Sequence, residues 1–254
     1  MPRSIWNGTI TFGLVAVPIK VYSATESKTV HFHEVHAKDG SRIEHRRICP
    51  KDGKVVDKEE VVKGYQVSAR KWVEITDEDL AAAAGTQTRR VEIDHFVPAS
   101  EIDPVYFEKT YYLGAGDDGN KAYALLHAAL EKADRAGVGR WVFRNRERTA
   151  LVRTFEGVLT LHTMRFADEI VDPGEFDLAR VQRKPSEKEI KMAASLVDGL
   201  HTGFDADDYE DTYREEVMRL IELKAEGKNI ELPPPDEPQS ADDLLAQLEA
   251  SLAA

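Results

Sequence analysis

The chain has 254 residues, 42% of them hydrophobic, and a formal net charge of −12. That length and apolar content supply a core for one large domain, or for a main domain with appendages. No apolar run reaches the roughly 18 residues of a membrane span, the opening MPRSIWNG lacks the apolar segment of a secretory signal, and the single cysteine, Cys49, excludes an internal disulfide, so a soluble cytoplasmic protein with no membrane partner is expected.

The first elements are β. SIWNGTITFGLVAVPIKVYSATE is rich in β-branched residues and sets Ile10, Phe12 and Leu14 against smaller neighbours, as in a half-buried strand. Pro18 confines that strand to an edge, an end or a bulge. A polar section from Lys28 to Lys71 follows, with KDG turn signals at Lys38 and Lys51 that predict short hairpins. ITDEDLAAAA predicts a helix with Thr76 as its N-cap and Asp79 in the capping-box position.

RRVEIDHFV and EKTYYLG return to strands, and NKAYALLHAALEKADRAG predicts a helix with Tyr123, Leu126 and Leu130 on one face, ended by Gly137. VGRWVFR, RTALVRTF and GVLTLHTMRF then read as consecutive antiparallel strands joined at NRE and EG. Strands linked by such short turns cannot form a parallel sheet. The expected fold is mixed and β-rich, an antiparallel β-barrel with a few helices.

Beyond Ser186 the character changes. Up to that residue 28 Lys and Arg face 28 Asp and Glu, whereas after it 6 face 18, so the whole −12 resides in the tail. The acidity therefore says nothing against nucleic-acid binding by the balanced body, which depends on local basic surface. In the tail, PSEKEIKMAASLVDGL predicts a helix capped by Ser186 and Glu189, and DDYEDTYREEVMRLIELKAEG a second with Tyr209, Tyr213, Val217, Leu220 and Ile221 along one stripe. LPPPDEPQS reads as a stiff linker. SADDLLAQLEASLAA offers Leu244, Leu245, Leu248 and Leu252 on one face of a short helix, marginal on its own.

Catalytic motifs are scarce. The sequence holds no Gly-rich phosphate loop, no G-x-S-x-G elbow and no H-E-x-x-H. HFHEVHAKDGSRIEHRRIC gathers His31, His33, His36, His45 and Cys49, but structural zinc favours paired cysteines, so surface histidines and no metal or cofactor are expected; a metal-dependent hydrolase on this cluster is the enzymatic alternative. The acids of TDEDL and DADDYED lie at helix starts, where they suit the dipole.

The stretch GRWVFRNRERTALVR contains five arginines, no lysine and one acid. On a strand Arg144, Arg146 and Arg148 share one side, and in a turn they cluster at its tip. The permanently charged fork of arginine suits phosphate oxygens, so these residues are candidate nucleic-acid contacts. A second basic concentration comprises Lys38, Arg42, Arg46, Arg47, Lys51, Lys54, Lys58 and Lys63, diluted by acids. Neither has the aromatic interleaving of a single-strand groove nor the spacing of a base reader, so a nucleic acid held here is gripped by its backbone. An adaptor for protein partners that never touches DNA is the other alternative, and a Schiff-base role for Lys63 or Lys109 a third.

SIWNGTITFGLVAVPIKVYSATE resembles the opening of the bacterial Ku family, and the likeness continues in order through VHFHEVHAKDGSRI, VVKGYQV, ITDEDL, EIDPVYFEKTYYL, KAYALLHAAL, GVLTLHTMRFADEI and YREEVMRLIELKAEG. The resemblance implies a non-enzymatic, nucleoid-associated homodimer that forms a ring around the ends of double-stranded DNA and serves non-homologous end joining. It further implies a barrel core over residues 1–186 with a strand bridge near 30–67, a helical arm over 187–230 that recruits ligase D, a linker at 231–240 and a terminal helix at 241–254. On this mapping Lys38, Arg42, Arg46, Arg47, Lys51, Lys54, Lys63, Arg140, Arg144, Arg146 and Arg148 are expected to meet DNA. Tyr209, Tyr213, Arg214, Leu220, Leu244 and Leu248 are expected to meet the ligase. Many relatives carry a lysine-rich tail, whereas this acidic tail is expected to add no grip on DNA.

Overall fold

The β-branched opening forms two strands rather than one. The computed structural model describes residues 3–83, 89–144, 146–176 and 185–228, and in it β1 (Trp6–Phe12) and β2 (Val15–Ser23) pair antiparallel from Trp6↔Val21 to Phe12↔Val15. The predicted alternation through Leu14 stops at Phe12: Gly13, at φ +56°, turns the chain and leaves Leu14 fully exposed. Pro18 lies just outside the β2 ladder to the next barrel neighbour, which begins at Ile19, and its carbonyl accepts the Gly116 N–H at 2.8 Å.

The polar section folds around its two KDG turns. Gly40 and Gly53 take φ +73° and +71°, and isolated bridges Val35↔Arg42 and Ile48↔Val55 close the turns. Strands β3 (Lys63–Ser68) and β4 (Lys71–Ile75) then form a separate two-stranded hairpin, all of β3 exposed. Helix α1 (Asp77–Ala83) carries the expected box: Thr76 Oγ1 accepts the Asp79 N–H at 3.1 Å and Asp79 accepts the Thr76 N–H at 2.9 Å.

The remaining strands are β5 (Arg90–Val97), β6 (Phe107–Ala115), β7 (Ala136–Phe143), β8 (Arg146–Phe155) and β9 (Val158–Met164). With β1 and β2 they close into a seven-strand barrel in the order β1-β2-β6-β9-β8-β7-β5. All pairs are antiparallel except β1 with β5, which run parallel from Thr9↔Arg90 to Thr11↔Glu92. Inside, Ile10, Val17, Ile19, Val21, Val91, Trp141, Leu159 and Leu161 are buried. Trp141 is central, edge-on to Trp6 at 5.5 Å and to Tyr111 at 5.4 Å, and stacked on Phe143 at 4.6 Å.

Helix α2 (Asn120–Ala133) buries Leu126 and Leu130, and its Tyr123 hydroxyl donates to Leu113 O at 2.7 Å while accepting the Leu159 N–H at 2.8 Å. It ends at Asp134, left-handed at φ +50°, and not at Gly137. Gly137 instead lies within β7, where a Cβ would come 2.8 Å from Ile93 Cδ1; the glycine serves strand packing. The β8–β9 turn, Glu156–Gly157, has both φ positive, as a two-residue hairpin requires.

Two compact units divide the chain, Met1–Ser27 with His33–Asp172, and Lys28–Phe32 with Pro173–Ala254. The second contains α3 (Glu187–Gly199), capped by Ser186 and Glu189, and α4 (Thr212–Ala225), capped by Asp211. The predicted second helix starts late: Tyr209 precedes it, after a 3-10 turn at Ala206–Asp208, and stacks on Phe204 at 5.7 Å. No described helix is long and apolar enough to cross a membrane.

One buried polar group ties the barrel's stability to pH. His162 is 6% exposed; Arg153 Nε donates to its Nε2 at 3.0 Å, so Nδ1 carries the proton toward Thr110 Oγ1, also at 3.0 Å. Burial, and then the Arg153 charge, lower its pKa to about 4. The unfolded chain takes up this proton near 6.5, so the contribution is complete above that pH and is lost as pH falls toward 4, on the order of 3 kcal/mol. Urea unfolding of the wild type is therefore expected to lose more stability between pH 6.5 and 4 than His162→Gln does. Parallel pH profiles would contradict this.

Candidate nucleic-acid interface

The arginine stretch forms one hairpin, and its register sorts the arginines. Phe143 faces Arg146 and Trp141 faces Arg148 across β7 and β8. Because directly opposed residues point to the same side of a sheet, Arg146 and Arg148 share the inward side with the buried Trp141. At this end of the barrel they emerge in its mouth. Arg144 occupies the turn at φ +52°, its guanidinium 5.0 Å from the Phe143 ring centre. Both sequence expectations for this stretch are thus combined, one arginine at the tip and two on a strand side.

The mouth holds a cleft of about 430 Å³ whose lining includes Lys109, Arg144, Arg146 and Arg148 with Tyr111 and Phe143. Two of the cations are compensated. Arg148 pairs with Glu108, which also accepts from Thr163 Oγ1 at 3.3 Å, and Arg146 pairs with Glu169 at 3.1 Å. Among the described residues Arg144 and Lys109 have no carboxylate partner. Arg140 alternates to the outer side of β7, 3.9 Å from Asp94 and 3.8 Å from Glu147, and is not part of the cleft. Arg153 is on the outer side too, held by His162.

The second basic concentration surrounds the two KDG turns. Lys38, Arg42, Arg46, Arg47, Lys51 and Lys54 are all exposed. Arg46 pairs with Glu44 at 3.4 Å, and Lys63, on β3, with Asp77 at 2.5 Å. Among the described residues Lys38, Arg42, Arg47, Lys51 and Lys54 have no acidic partner, so this section carries uncompensated charge despite the acids interleaved in its sequence. The histidines here are engaged separately, His36 with Asp39 at 3.1 Å and His45 with Glu34 at 2.9 Å. Among the described residues no three His, Cys, Asp or Glu side chains are grouped to hold a metal ion.

These surroundings belong to a recognisable barrel. The family model described as the Ku70/Ku80 beta-barrel domain matches residues 11–192. The chain belongs to the Ku family. It is 46% identical to the non-homologous end joining protein Ku of Anaeromyxobacter sp. (strain K), over 100% of this chain and 86% of the relative. It is 40% identical to that of Mycobacterium tuberculosis, over 99% and 95%, and 34% identical to that of Bacillus subtilis (strain 168), over 98% and 81%.

In this Ku-family chain the residues expected to meet a ligase lie in the second unit. Tyr209 and Tyr213 are exposed, whereas Arg214 and Leu220 are half-buried on α4. Leu244 and Leu248, with the linker expected at 231–240 and the helix expected at 241–254, lie outside the described residues.

Sequence reasoning gives Lys109 only a Schiff-base role and does not single out Tyr111, so it misses both as members of the mouth. Their alternation, two residues apart on one strand, was the available signal. It also missed Arg70 and Lys71, exposed at the β3–β4 turn and without an acidic partner among the described residues, because Ala69–Arg70 carries no glycine or proline to mark a turn.

The compensation pattern separates the arginines experimentally. Arg148→Ala strands Glu108 and should cost about 1 kcal/mol in urea unfolding, as expected of a half-buried pair. Arg144→Ala breaks no ion pair and should stay within about 0.5 kcal/mol of wild type. The reverse order would show that Arg144 is the compensated residue.

Proposed function

We propose that two copies of this chain form a ring that threads onto the end of a DNA duplex, grips its backbone without reading sequence, and brings an end-joining ligase to the break. The observation that carries this reading is the match, along essentially the whole chain, to relatives that are non-homologous end joining proteins. The role is one of holding and recruiting, with no chemistry of its own.

Charge supports it. Uncompensated cations in the barrel mouth and around the KDG turns suit a polyphosphate backbone, and arginine in the mouth provides the fork that matches phosphate oxygens. Contacts of this kind are sequence-independent, so preference for a break comes from threading.

Dimerisation is supported by the β3–β4 hairpin. A lone two-stranded hairpin is marginal in water, and this one exposes Tyr65, Val67, Trp72 and Val73. Pairing with the second copy covers those side chains and the open strand edges. Ligase D is the partner assigned to the second unit, where Phe204, Tyr209 and Tyr213 provide exposed aromatic anchors.

Reversing charge in the mouth tests the DNA reading. The combined Arg144→Glu, Arg146→Glu, Arg148→Glu protein, shown by circular dichroism to be folded, is expected to retain a linear duplex at least about tenfold less well than wild type near 100 mM salt, with a shallower salt dependence. Unchanged retention would favour an adaptor that binds proteins alone.

A further inference from the structure

Tyr111 forms the floor of the barrel mouth, and packing alone does not account for its hydroxyl. The residue is 8% exposed, its ring edge-on to Trp141 at 5.4 Å and to Phe143 at 6.4 Å. Yet it lines the cleft, and among the described residues its phenol oxygen has no hydrogen-bond partner. Phenylalanine would fill the same core space. The hydroxyl is not among the buried polar atoms left without a partner, so it opens into the cleft and is available to donate to a group bound there.

The surroundings say what that acceptor is. Burial raises the phenol above its ordinary pKa of 10, against the opposing charges of Arg148 and Arg144, so the group is protonated and can donate. Glu108 and Glu169 neutralise Arg148 and Arg146, which leaves Arg144 and Lys109 as the uncompensated cations. The cleft therefore offers two net positive charges, one of them a planar fork, above a hydroxyl donor. A phosphate monoester is the complement: two negative charges and three terminal oxygens that only accept. A backbone phosphodiester brings one charge and two such oxygens.

We propose that the barrel mouth binds a single phosphoryl group, held by Arg144 and Lys109 with Tyr111 donating from below, and that its source is the terminal 5′-phosphate of DNA. The assignment of the source rests on the DNA-end reading, whereas the chemistry of the cleft does not. The site makes the protein sensitive to the chemical state of an end as well as to its presence.

The experiment compares one short linear duplex carrying 5′-phosphate or 5′-hydroxyl termini, bound to wild type, Tyr111→Phe and Arg144→Gln, together with the thermal stability of each protein in inorganic phosphate against chloride at equal ionic strength. Wild type should bind the phosphorylated duplex about tenfold more tightly, the scale of one charge-assisted hydrogen bond with its ion pair. Both variants should fall below about twofold preference, Tyr111→Phe with its 5′-hydroxyl binding unchanged and Arg144→Gln with both duplexes held more weakly for want of its charge, and phosphate should raise the melting temperature of wild type but not of Tyr111→Phe. Equal binding of the two duplexes, weakened equally by Tyr111→Phe, would keep the phosphoryl site but assign it to an internal backbone phosphate. Equal binding untouched by either variant, with no effect of inorganic phosphate, would overturn the site while leaving the DNA reading intact. Failure of wild type to bind either duplex would overturn the DNA reading and the 5′-phosphate source, and the phosphate-dependent melting would then decide the site alone.

Discussion

Everything in the mouth depends on closure of the seven-strand sheet, and closure depends on the short parallel ladder between β1 and β5. Three residue pairs and the Thr9 N–H to Arg89 O bond at 3.0 Å make that seam. Gly8 allows it, since a Cβ there would meet Arg89 O at 2.4 Å and the Trp6 ring at 2.1 Å. Once the seam is closed the barrel has no free edges, and side-chain alternation is fixed on every strand. Trp141 is then committed to the interior, Phe143 and Tyr111 pack around it, and Arg146 and Arg148, opposite them in register, have only the mouth in which to keep their charges in water.

This arrangement explains how an acidic protein keeps a cationic site. The negative excess belongs to the tail after Ser186, while within the barrel carboxylates are spent singly: Glu108 on Arg148, Glu169 on Arg146, Asp94 and Glu147 loosely on Arg140. Compensation holds the paired arginines in place, and Arg144 and Lys109, without a carboxylate partner among the described residues, carry the mouth's net positive charge. Charges so close to a low-dielectric core act more strongly on a bound anion than the same charges on an open surface. The KDG section is the converse case, with exposed cations on turns, and its contribution is expected to be screened by salt to a greater extent.

Much of the fold was legible because its signals are local. Strand alternation, the Thr76–Asp79 and Ser186–Glu189 boxes and the Glu156–Gly157 turn involve residues within a few positions of one another. The misreadings arose where a local signal had two outcomes. Gly13 turned the first strand before Leu14, and Asp134 adopted the left-handed conformation that had been assigned to Gly137, which β7 needed for packing against Ile93. Tyr209 fitted the apolar stripe of α4 but preceded its cap, Asp211. The site was legible in half. Arginine-rich composition marked Arg144, Arg146 and Arg148, but Lys109 and Tyr111 join them only through the strand order β6-β9-β8, a long-range pairing that no window of sequence contains. Composition also could not show that Arg140 is turned outward, since that follows from the parity of β7 about Trp141.

The central claim is that an end must be threaded. Its most direct measurement is retention of one duplex sequence prepared both as a linear fragment and as a relaxed, covalently closed circle, compared across a salt series. The account predicts that the line is retained and the circle is not, with the difference persisting as salt weakens both. Equal retention of line and circle at every salt concentration would mean an open basic surface, and would contradict the ring.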